Sequence, residues 1–496
     1  MIIRLIGGTP MRGQADPSWR GAISDADAYD LTNDAARARI LSANGLVISG
    51  GVDHLLLGRY REELTAFVRS GGRVLVNGQV VKPFIDGLAV WRKLEFRGAQ
   101  DVRPHAVSEH PVWNGIDDRD LHYRTGVPGI HSYERLEEIG VAGFYGRGYH
   151  LDLPEGAQVI TGIGSYRLPL DYAYRIGAGE VLVHGGNDLE SFSDDGYSTR
   201  VLGPNLVAWL EAGRNDGARN DGGRDGGTSV RNGAQNGGTD AAVVRVLPAA
   251  APADAAVARA ARDARVSRES RESRESRESR APGAAPRIGL LHCGAFQPLR
   301  TLADPALAPY RLESVYLPDA DPAVLADLDV VLVSDRLHQG QLERFVPALL
   351  AALEDPGKTV IVLGENKVEQ WLPGVGYTFR PTVFWKWRTG EDNGTRLRLP
   401  EDPMWEFFTP WSVSWHHHGL LHPRPGARSL VVMEEDGAEV GTLMYVDEVN
   451  QPARLLVTTM DPVYHHGSGF MPGASQLLYS LLRWVTATRS SAGKHP

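Results

Sequence analysis

The chain contains one cysteine, Cys293, among its 496 residues. A single cysteine excludes an internal disulfide framework and any zinc site built from several thiolates. It also favours a reducing compartment, so we expect a cytoplasmic protein. Long apolar runs are missing too, because no stretch of about 20 apolar residues occurs. The opening "MIIRLIGG" is short and ends at two glycines, so we expect a first strand and not a signal peptide.

A marked excess of either charge sign is also missing. The net charge is -9, charged residues make up 23% of the chain, and hydrophobic residues make up 42%. These values are typical of a globular protein and give no basic footprint for nucleic acid or for a membrane surface. We therefore expect neither of those partners.

Residues 214–286 have little that could be buried. The stretch is rich in Gly, Asn, Asp and Ala, and it contains four copies of Arg-Glu-Ser across 268–279. Because such a segment cannot offset its ordering entropy by burial, we predict a disordered linker. The chain then divides into a first domain at 1–213, the linker at 214–286, a second domain at 287–488 and a flexible tail at 489–496.

Strands and helices alternate on both sides of this linker. In the first domain, "NGLVISGG" (44–51) and "RVLVNG" (73–78) predict strands around an amphipathic helix at 59–72. In the second, "LDVVLVSD" (328–335) and "KTVIVLGEN" (358–366) flank another such helix. Apolar strands alternating with amphipathic helices indicate an α/β fold with a mostly parallel sheet covered on both faces.

The second domain repeats the pattern of the first. "HPVWNGIDDRDLHYRTG" (110–126) is similar to "DPMWEFFTPWSVSWHHHG" (402–419), and the strand-hairpin-strand pattern of 153–188 recurs at 423–461. Each copy closes with an apolar helix, "NLVAWL" and "QLLYSLLRWV". We conclude that the chain holds two diverged copies of one fold.

Together these elements resemble the class I glutamine-amidotransferase-like superfamily, nearest its ThuA-like and β-galactosidase-associated branches. The resemblance is carried by "LVISGGVDHL", "FVRSGGRVLVNG" and "VLVHGGND" in the first copy, and by "KTVIVLGEN" and "LLVTTMD" in the second. It implies two tandem flavodoxin-like, doubly wound sheets with sites at the carboxyl ends of the strands. Fold alone does not fix function.

The nucleophile of that superfamily is missing from both copies. Active members carry a cysteine in a tight turn after a strand, where a helix N-terminus favours the thiolate. The corresponding turns here contain Gln79 after Asn77-Gly78, and Glu365 between Gly364 and Asn366. Cys293 follows a different predicted strand, beside His292, and adjacent strand residues point to opposite faces. We therefore expect no amidotransferase activity and interpret Cys293 as an ordinary buried thiol.

Histidine and aspartate accumulate in two segments of the second copy. "WSVSWHHHGLLH" supplies His416, His417 and His418, and "TTMDPVYHHGSGF" supplies Asp461, His465 and His466. These side chains suit zinc or another divalent transition metal. Asp461, His418, His465 and His466 are the candidate catalytic residues, and His416, His465 and Asp461 are the candidate metal ligands. The alternative is a polar loop rim, since the spacing matches no known metal signature.

Candidate binding residues follow the predicted strands of both copies. Glycine pairs permit close approach of a ligand to the backbone, acidic side chains offer hydrogen-bond acceptors, and aromatic rings suit a sugar or a protein partner. Turn formation, helix capping and lid packing are the competing roles. The candidates are Gly50, Gly51, Gln79, His184, Asp188, Glu365, Asn366, Trp385 and Trp415.

The absent nucleophiles favour a non-catalytic tandem scaffold that binds a protein partner or a small carbohydrate-like ligand and needs no cofactor. The alternative is a sugar-modifying hydrolase or isomerase that uses a His/Asp site in the second copy, with or without a divalent metal. That alternative requires Asp461 and at least two of the neighbouring histidines to converge. Packing of the two copies on each other and homodimer formation both remain open.

Overall fold

The structure is a computed structural model that describes residues 1–8, 18–123, 132–139, 145–193, 196–214, 285–380, 391–469 and 471–492. We call residues 1–214 the first half and residues 285–496 the second half; both lie in one compact unit. The predicted linker lies almost wholly outside the described residues. Trp385 and the last four residues lie outside them as well.

The first half contains ten strands and six α-helices within its described residues. The strands are β1 (Ile2–Ile6), β2 (Ile23–Asp27), β3 (Gly45–Ile48), β4 (Arg73–Asn77), β5 (Trp91–Lys93), β6 (Pro104–Ala106), β7 (Gly148–His150), β8 (Gln158–Ile163), β9 (Leu168–Ile176) and β10 (Gly179–His184). The helices are α1 (Asp34–Leu41), α2 (His54–Arg59), α3 (Arg61–Arg69), α4 (Asp118–Tyr123), α5 (Tyr133–Ile139) and α6 (Leu202–Glu211).

Eight of these strands form one sheet in the order β2-β1-β3-β4-β10-β9-β8-β6. The first five are parallel, and β9, β8 and β6 continue the sheet in antiparallel pairs. Taken along the chain, the parallel strands have the order 2-1-3-4-5, which is the flavodoxin-like order. A separate two-stranded sheet joins β5 to β7.

The second half contains ten strands and seven α-helices within its described residues. The strands are β11 (Ile288–His292), β12 (Leu312–Tyr316), β13 (Val330–Val333), β14 (Thr359–Leu363), β15 (Gly376–Thr378), β16 (Thr395–Leu397), β17 (Leu420–His422), β18 (Arg428–Glu435), β19 (Ala438–Asp447) and β20 (Arg454–Thr458). The helices are α7 (Phe296–Leu302), α8 (Val324–Asp327), α9 (Gln339–Leu353), α10 (Val368–Trp371), α11 (Pro410–Val413), α12 (Pro462–Ser468) and α13 (Pro472–Ala492).

The second sheet repeats the first. Its order is β12-β11-β13-β14-β20-β19-β17-β15, again with five parallel strands followed by antiparallel ones, and β16 and β18 extend it from β19. The predicted α/β fold with two tandem sheets is therefore confirmed, and both sheets are mixed, with five parallel strands followed by antiparallel ones. Among the described residues, no helix is both long enough and apolar enough to cross a membrane.

Each sheet has a hydrophobic core on both of its faces, and successive side chains of the central strands pack alternately into the two cores. In β4, Val76 packs in one buried cluster and Leu75 packs in another. In β14, Ile361 and Val362 divide in the same way between two clusters of the second half. Since successive side chains of a strand point to opposite faces, fully apolar strands require helices on both sides.

Corresponding turns follow β4 and β14. Gly78 has φ of 82° and Gly364 has φ of 61°, so both occupy the left-handed region that favours glycine. Register places the two turns at the same point of each sheet, because Asn77 pairs with His184 and Leu363 pairs with Thr458. Each turn therefore presents the next residue, Gln79 or Glu365, at the carboxyl edge of the sheet.

The two halves meet through a seam of polar and aromatic contacts. The buried Asp53 carboxylate accepts hydrogen bonds from Tyr29 Oη at 2.9 Å and from Tyr316 Oη of the other half at 2.6 Å. His338 Nε2 lies 2.6 Å from an Asp27 carboxylate oxygen, which adds a second bond across the seam. Packing of the halves on each other, left open by the sequence, is thus present within this unit.

Candidate metal centre

Two segments of the second half carry the candidate ligands. His416 and His418 lie between α11 and β17, and Asp461 lies three residues after the end of β20, at the N-cap of α12. His465 lies one helical turn after Asp461, so the two share a helix face. Residues two apart in an extended chain point to the same side, as expected for His416 and His418. The His418 amide donates to the Thr459 carbonyl at 3.1 Å, which links the two segments.

These four side chains converge in the interior. All four are buried, and one donor atom from each lies within 4.8 Å of the others. His418 Nε2 is 2.8 Å from Asp461 Oδ2 and 2.9 Å from His416 Nε2, while His465 Nε2 is 3.1 Å from Asp461 Oδ1. We call His416, His418, Asp461 and His465 the His/Asp cluster. It meets the convergence that the enzyme alternative requires.

A proton or a metal ion is needed at the centre of this cluster. Two imidazole nitrogens 2.9 Å apart repel each other through their lone pairs unless a proton or a metal ion lies between or beside them. Burial lowers the pKa of His416 well below its ordinary value. Burial acts on His418 in the same direction, but the charge of Asp461 prevails and raises the pKa of His418 to about 9. Without metal, an imidazolium at His418 supplies the positive charge.

Asp461 is the anion at the centre of the cluster. Burial acts to raise its pKa, but the charges of His465 and His418 and their hydrogen bonds hold the pKa of Asp461 well below its ordinary value. Arg336 also donates from Nη2 to Asp461 Oδ2 at 3.2 Å. Asp461 therefore stays ionised, which is the form that binds a metal.

Arg336 and Asp335 border the cluster on the side of β13. The Arg336 guanidinium lies 3.8 Å from the centre of the Tyr464 ring, and its Nε is 3.4 Å from an Asp335 oxygen. Burial, reinforced by the charge of Asp461, raises the pKa of Asp335 to about 7. The side chain of Arg336 thus offsets negative charge that would otherwise accumulate around Asp461.

Glu365 and Thr459 connect the cluster to a small pocket. Glu365 Oε1 is 3.5 Å from His418 Nδ1, and the Thr459 carbonyl accepts a hydrogen bond from the His418 backbone amide. Both residues also line the pocket, together with Asn366, Lys367, Tyr377 and others near the β14 turn. Glu365 itself is 5% exposed. The pocket therefore ends beside the residue that contacts His418.

The donor set fits a divalent transition metal. Zinc binds imidazole nitrogen at 2.0–2.1 Å, which separates tetrahedral donors by about 3.3 Å. In the cluster the shortest distances between donor atoms are 2.8–3.1 Å and the longest is no more than 4.8 Å, so the separation of about 3.3 Å lies within this range. Three imidazoles and one carboxylate also suit manganese, iron, cobalt and nickel. A tetrahedral ion would be closed by these four ligands, whereas a five-coordinate ion would retain a position for water.

Other predicted residues of the second half lie at or outside the edge of the cluster. His466, although adjacent to His465, is bonded to Asp304 at 2.9 Å and to Ser475 at 2.9 Å. The Trp415 ring lies edge-on against His465, with 5.5 Å between ring centres. Asn366 donates to the Ser334 carbonyl at 2.6 Å, so it holds the turn after β14 in place.

The predicted residues of the first half lie in a different arrangement. His184 is bonded to Asp171 at 2.6 Å and not to Asp188. Asp188 instead accepts the Gly50 amide at 2.6 Å, so Gly50 has a partner within the fold. Gly51 is exposed and Gln79 is half-buried at the turn after β4. The first half therefore does not reproduce the cluster at the corresponding strand ends.

Sequence reasoning missed Arg336 and Asp335 and assigned Glu365 to binding alone. "SDR" follows β13 as Glu365 follows β14, so the rule that sites lie at carboxyl strand ends could have selected all three. Cys293 matches its predicted role, because it is buried and burial raises the pKa of its thiol to about 12. It is a poor nucleophile at neutral pH.

Comparisons with known proteins place the chain in no family. No family model matches the sequence, and no curated protein matches it. Two cytoplasmic proteins of known structure are similar in part. STM3548 from Salmonella typhimurium is 14% identical with a TM-score of 0.28, over 42% of this chain and 98% of its own. STM1381 from Salmonella typhimurium LT2 is 12% identical with a TM-score of 0.26, over 42% of this chain and 99% of its own.

Proposed function

We propose that the second half binds one divalent transition metal ion at the His/Asp cluster and uses it to hydrolyse a small polar substrate. The convergence of His416, His418, Asp461 and His465 carries the proposal, since their donor atoms lie within 4.8 Å. Buried histidines gathered around an ionised carboxylate are costly unless a cation satisfies them. This observation favours the enzyme alternative over the non-catalytic scaffold.

Hydrolysis is the reaction class that the surroundings support. A bound divalent ion lowers the pKa of a coordinated water towards neutrality and so supplies hydroxide as a nucleophile. The pocket beside Glu365 and Thr459 is about the size of one water molecule, so it gives water, the second reactant of a hydrolysis, a place next to the cluster. Arg336, paired with Asp461, offers a cation beside the position where negative charge would develop on a substrate oxygen.

Metal content of the untagged protein tests the binding step. We expect about one equivalent of zinc, manganese, iron, cobalt or nickel per chain by mass spectrometry, as one four-donor site predicts. Asp461→Asn and His465→Ala should lose most of it. His466→Ala is the matched control, because His466 is a neighbouring, partly buried histidine bonded outside the cluster, and it should retain the metal.

The reactive step needs a separate measurement. Wild-type protein should cleave at least one member of a panel of chromogenic esters, phosphate esters and glycosides. Chelation should abolish this turnover, and the bound metal should restore it. Bound metal without turnover would contradict hydrolysis and indicate a closed structural ion. A metal-free protein, or equal metal in all variants, would overturn the binding step and favour the scaffold.

We further propose that both halves are diverged relatives of the class I glutamine-amidotransferase-like superfamily. The 2-1-3-4-5 strand order and the glycine turns after β4 and β14 support this proposal. The residues presented by those turns are Gln79 and Glu365, neither of which is a thiol. Incubation with a glutamine-directed thiol alkylator should therefore leave the protein unlabelled at both turns. Labelling at either would contradict the assignment of these turns as thiol-free elbows.

A further inference from the structure

We infer that Glu365 is the positioning residue of the metal centre, holding the His418 ring so that Nε2 faces the ion. The inference rests on the proposed metal binding and adds a residue that is not itself one of the four ligands. It starts from the turn after β14, where Gly364 with φ of 61° places Glu365 at the carboxyl edge of the sheet. That edge faces the segment carrying His416 and His418.

The two ring nitrogens of His418 have different partners. Nδ1 lies 3.5 Å from Glu365 Oε1, and Nε2 lies 2.8 Å from Asp461 Oδ2 and 2.9 Å from His416 Nε2. A neutral imidazole carries its proton on one nitrogen and a lone pair on the other. A carboxylate at Nδ1 favours the proton there, which leaves the Nε2 lone pair for a metal.

The surroundings of Glu365 leave it few other roles. Its side chain is buried, and Oε2 has no hydrogen-bond partner among the described residues. No described cation forms an ion pair with it other than His418. A buried carboxylate kept beside one imidazole and little else is costly, and that cost is offset when the imidazole binds a divalent ion.

The corresponding position of the first half supports the same interpretation. Gln79 follows Gly78 in the equivalent turn, and His184 near it is held by Asp171 from β9 at 2.6 Å. No cluster of metal-binding side chains other than the one in the second half is found among the described residues. Of the two equivalent turns, the one with an acidic residue, Glu365, is therefore in the half that contains the His/Asp cluster.

Metal affinity of Glu365 variants tests the inference. Zn²⁺ and Co²⁺ are used as probes on the full chain, in competition with a chromophoric chelator. Glu365→Ala should bind both ions about 10- to 100-fold more weakly, the usual effect of removing a partner of a ligating histidine. Glu365→Gln should retain most of the affinity, because its amide oxygen still accepts from Nδ1. Glu369→Gln, a carboxylate change in the same pocket wall, is the control and should match wild type.

The visible spectrum of the Co²⁺ protein separates positioning from a loss of folding. Glu365→Ala should shift the Co²⁺ bands while circular dichroism and the melting temperature of the metal-free protein stay near wild type. Wild-type affinity in Glu365→Ala, or equal losses in the Ala and Gln variants, would overturn the positioning role alone. A wild-type protein with no affinity for either ion would overturn both this role and the proposed function.

Discussion

Both carboxylate oxygens of Asp461 have partners in or beside the His/Asp cluster. One oxygen faces His418 and Arg336, and the other faces His465. Such a carboxylate is held in one orientation before any metal arrives, which reduces the entropy lost on binding. The same contacts explain why Asp461→Asn is the sharpest variant, since it removes charge while nearly preserving shape.

Glu190 in the first half provides a pH-dependent prediction. Burial and the neighbouring charge of Asp188 raise its pKa to about 7, although Asn77 donates to it at 2.9 Å. An acid with a raised pKa in the folded state binds its proton more tightly there than when unfolded. Stability therefore falls as pH rises from about 4.5 to about 7, by up to about 3 kcal/mol from this residue.

Glu190→Gln should remove that dependence. We expect the variant to gain stability relative to wild type at pH 8 and to differ little at pH 4.5, measured by urea denaturation at both values. Glu155→Gln, an exposed acid of the same half, is the control. Equal stability of Glu190→Gln and wild type at pH 8 would contradict the raised pKa.

At the residue scale, the sequence could identify candidates for the His/Asp cluster but could not decide which of them converge. Asp461, His416, His418 and His465 were candidates because histidine and aspartate collect at predicted strand ends. His466 could not be rejected from sequence, since only the helix phase of α12 turns it towards Asp304. Contacts between residues far apart in the chain, such as Arg336 with Asp461, leave no periodic signal.

The turn elements after β4 and β14 depend on backbone contact. A side chain at Gly78 would place its Cβ 2.7 Å from the Gly50 Cα, and Gly78 also has a positive φ. By contrast, Gly437 joins β18 to β19 with φ of 78° and has open space around it. Alanine substitutions at Gly78 and Gly437 therefore distinguish backbone strain, which both share, from steric collision, which only Gly78 would suffer.

Gly78→Ala should be clearly more destabilising than Gly437→Ala. Gly437→Ala should lower the free energy of unfolding by roughly 1 kcal/mol, because alanine at this position must adopt a left-handed backbone conformation. The Gly78 change adds a collision with main-chain atoms that cannot rotate away, so we expect at least about twice that loss. Urea denaturation of both variants checks the order. Equal losses would show that β3 and β4 separate easily at this turn.

At the element scale, most of the fold was predictable. The apolar strands and amphipathic helices around 44–78 and 328–366 follow from periodicity, and the structure confirms them as β3, α3, β4, β13, α9 and β14. The small β5-β7 sheet and strand β16, which pairs with β18, were not predicted. Those strands are short, and three residues give too little alternation to recognise.

For the whole molecule, the seam between the halves predicts association without covalent connection. Separate chains covering 1–214 and 285–496 should co-purify when produced together, because Asp53, Tyr316 and the Trp91–Phe296 ring pair bury contacts across the seam. Asp53→Ala should weaken co-purification, since it removes the acceptor of two partly buried tyrosine hydroxyls, one from each half.

The matched control for the seam is Asp86→Ala. Asp86 forms an exposed ion pair with Arg61 within the first half, so its loss should leave co-purification unchanged. Failure of the wild-type halves to co-purify would show that the seam is too weak to hold without the intervening chain. Sequence could not foresee the seam, because its contacts join residues from both sides of a long connecting segment.

The position of the cluster along the chain has a consequence for synthesis on the ribosome. His416 and His418 precede the hairpin of β18 and β19, whereas Asp461 and His465 come after β20 has joined β14 in the sheet. A nascent chain that ends before residue 465 cannot assemble all four donors. If the His/Asp cluster binds metal as proposed, loading is among the last events of maturation and marks chains whose second sheet has been completed.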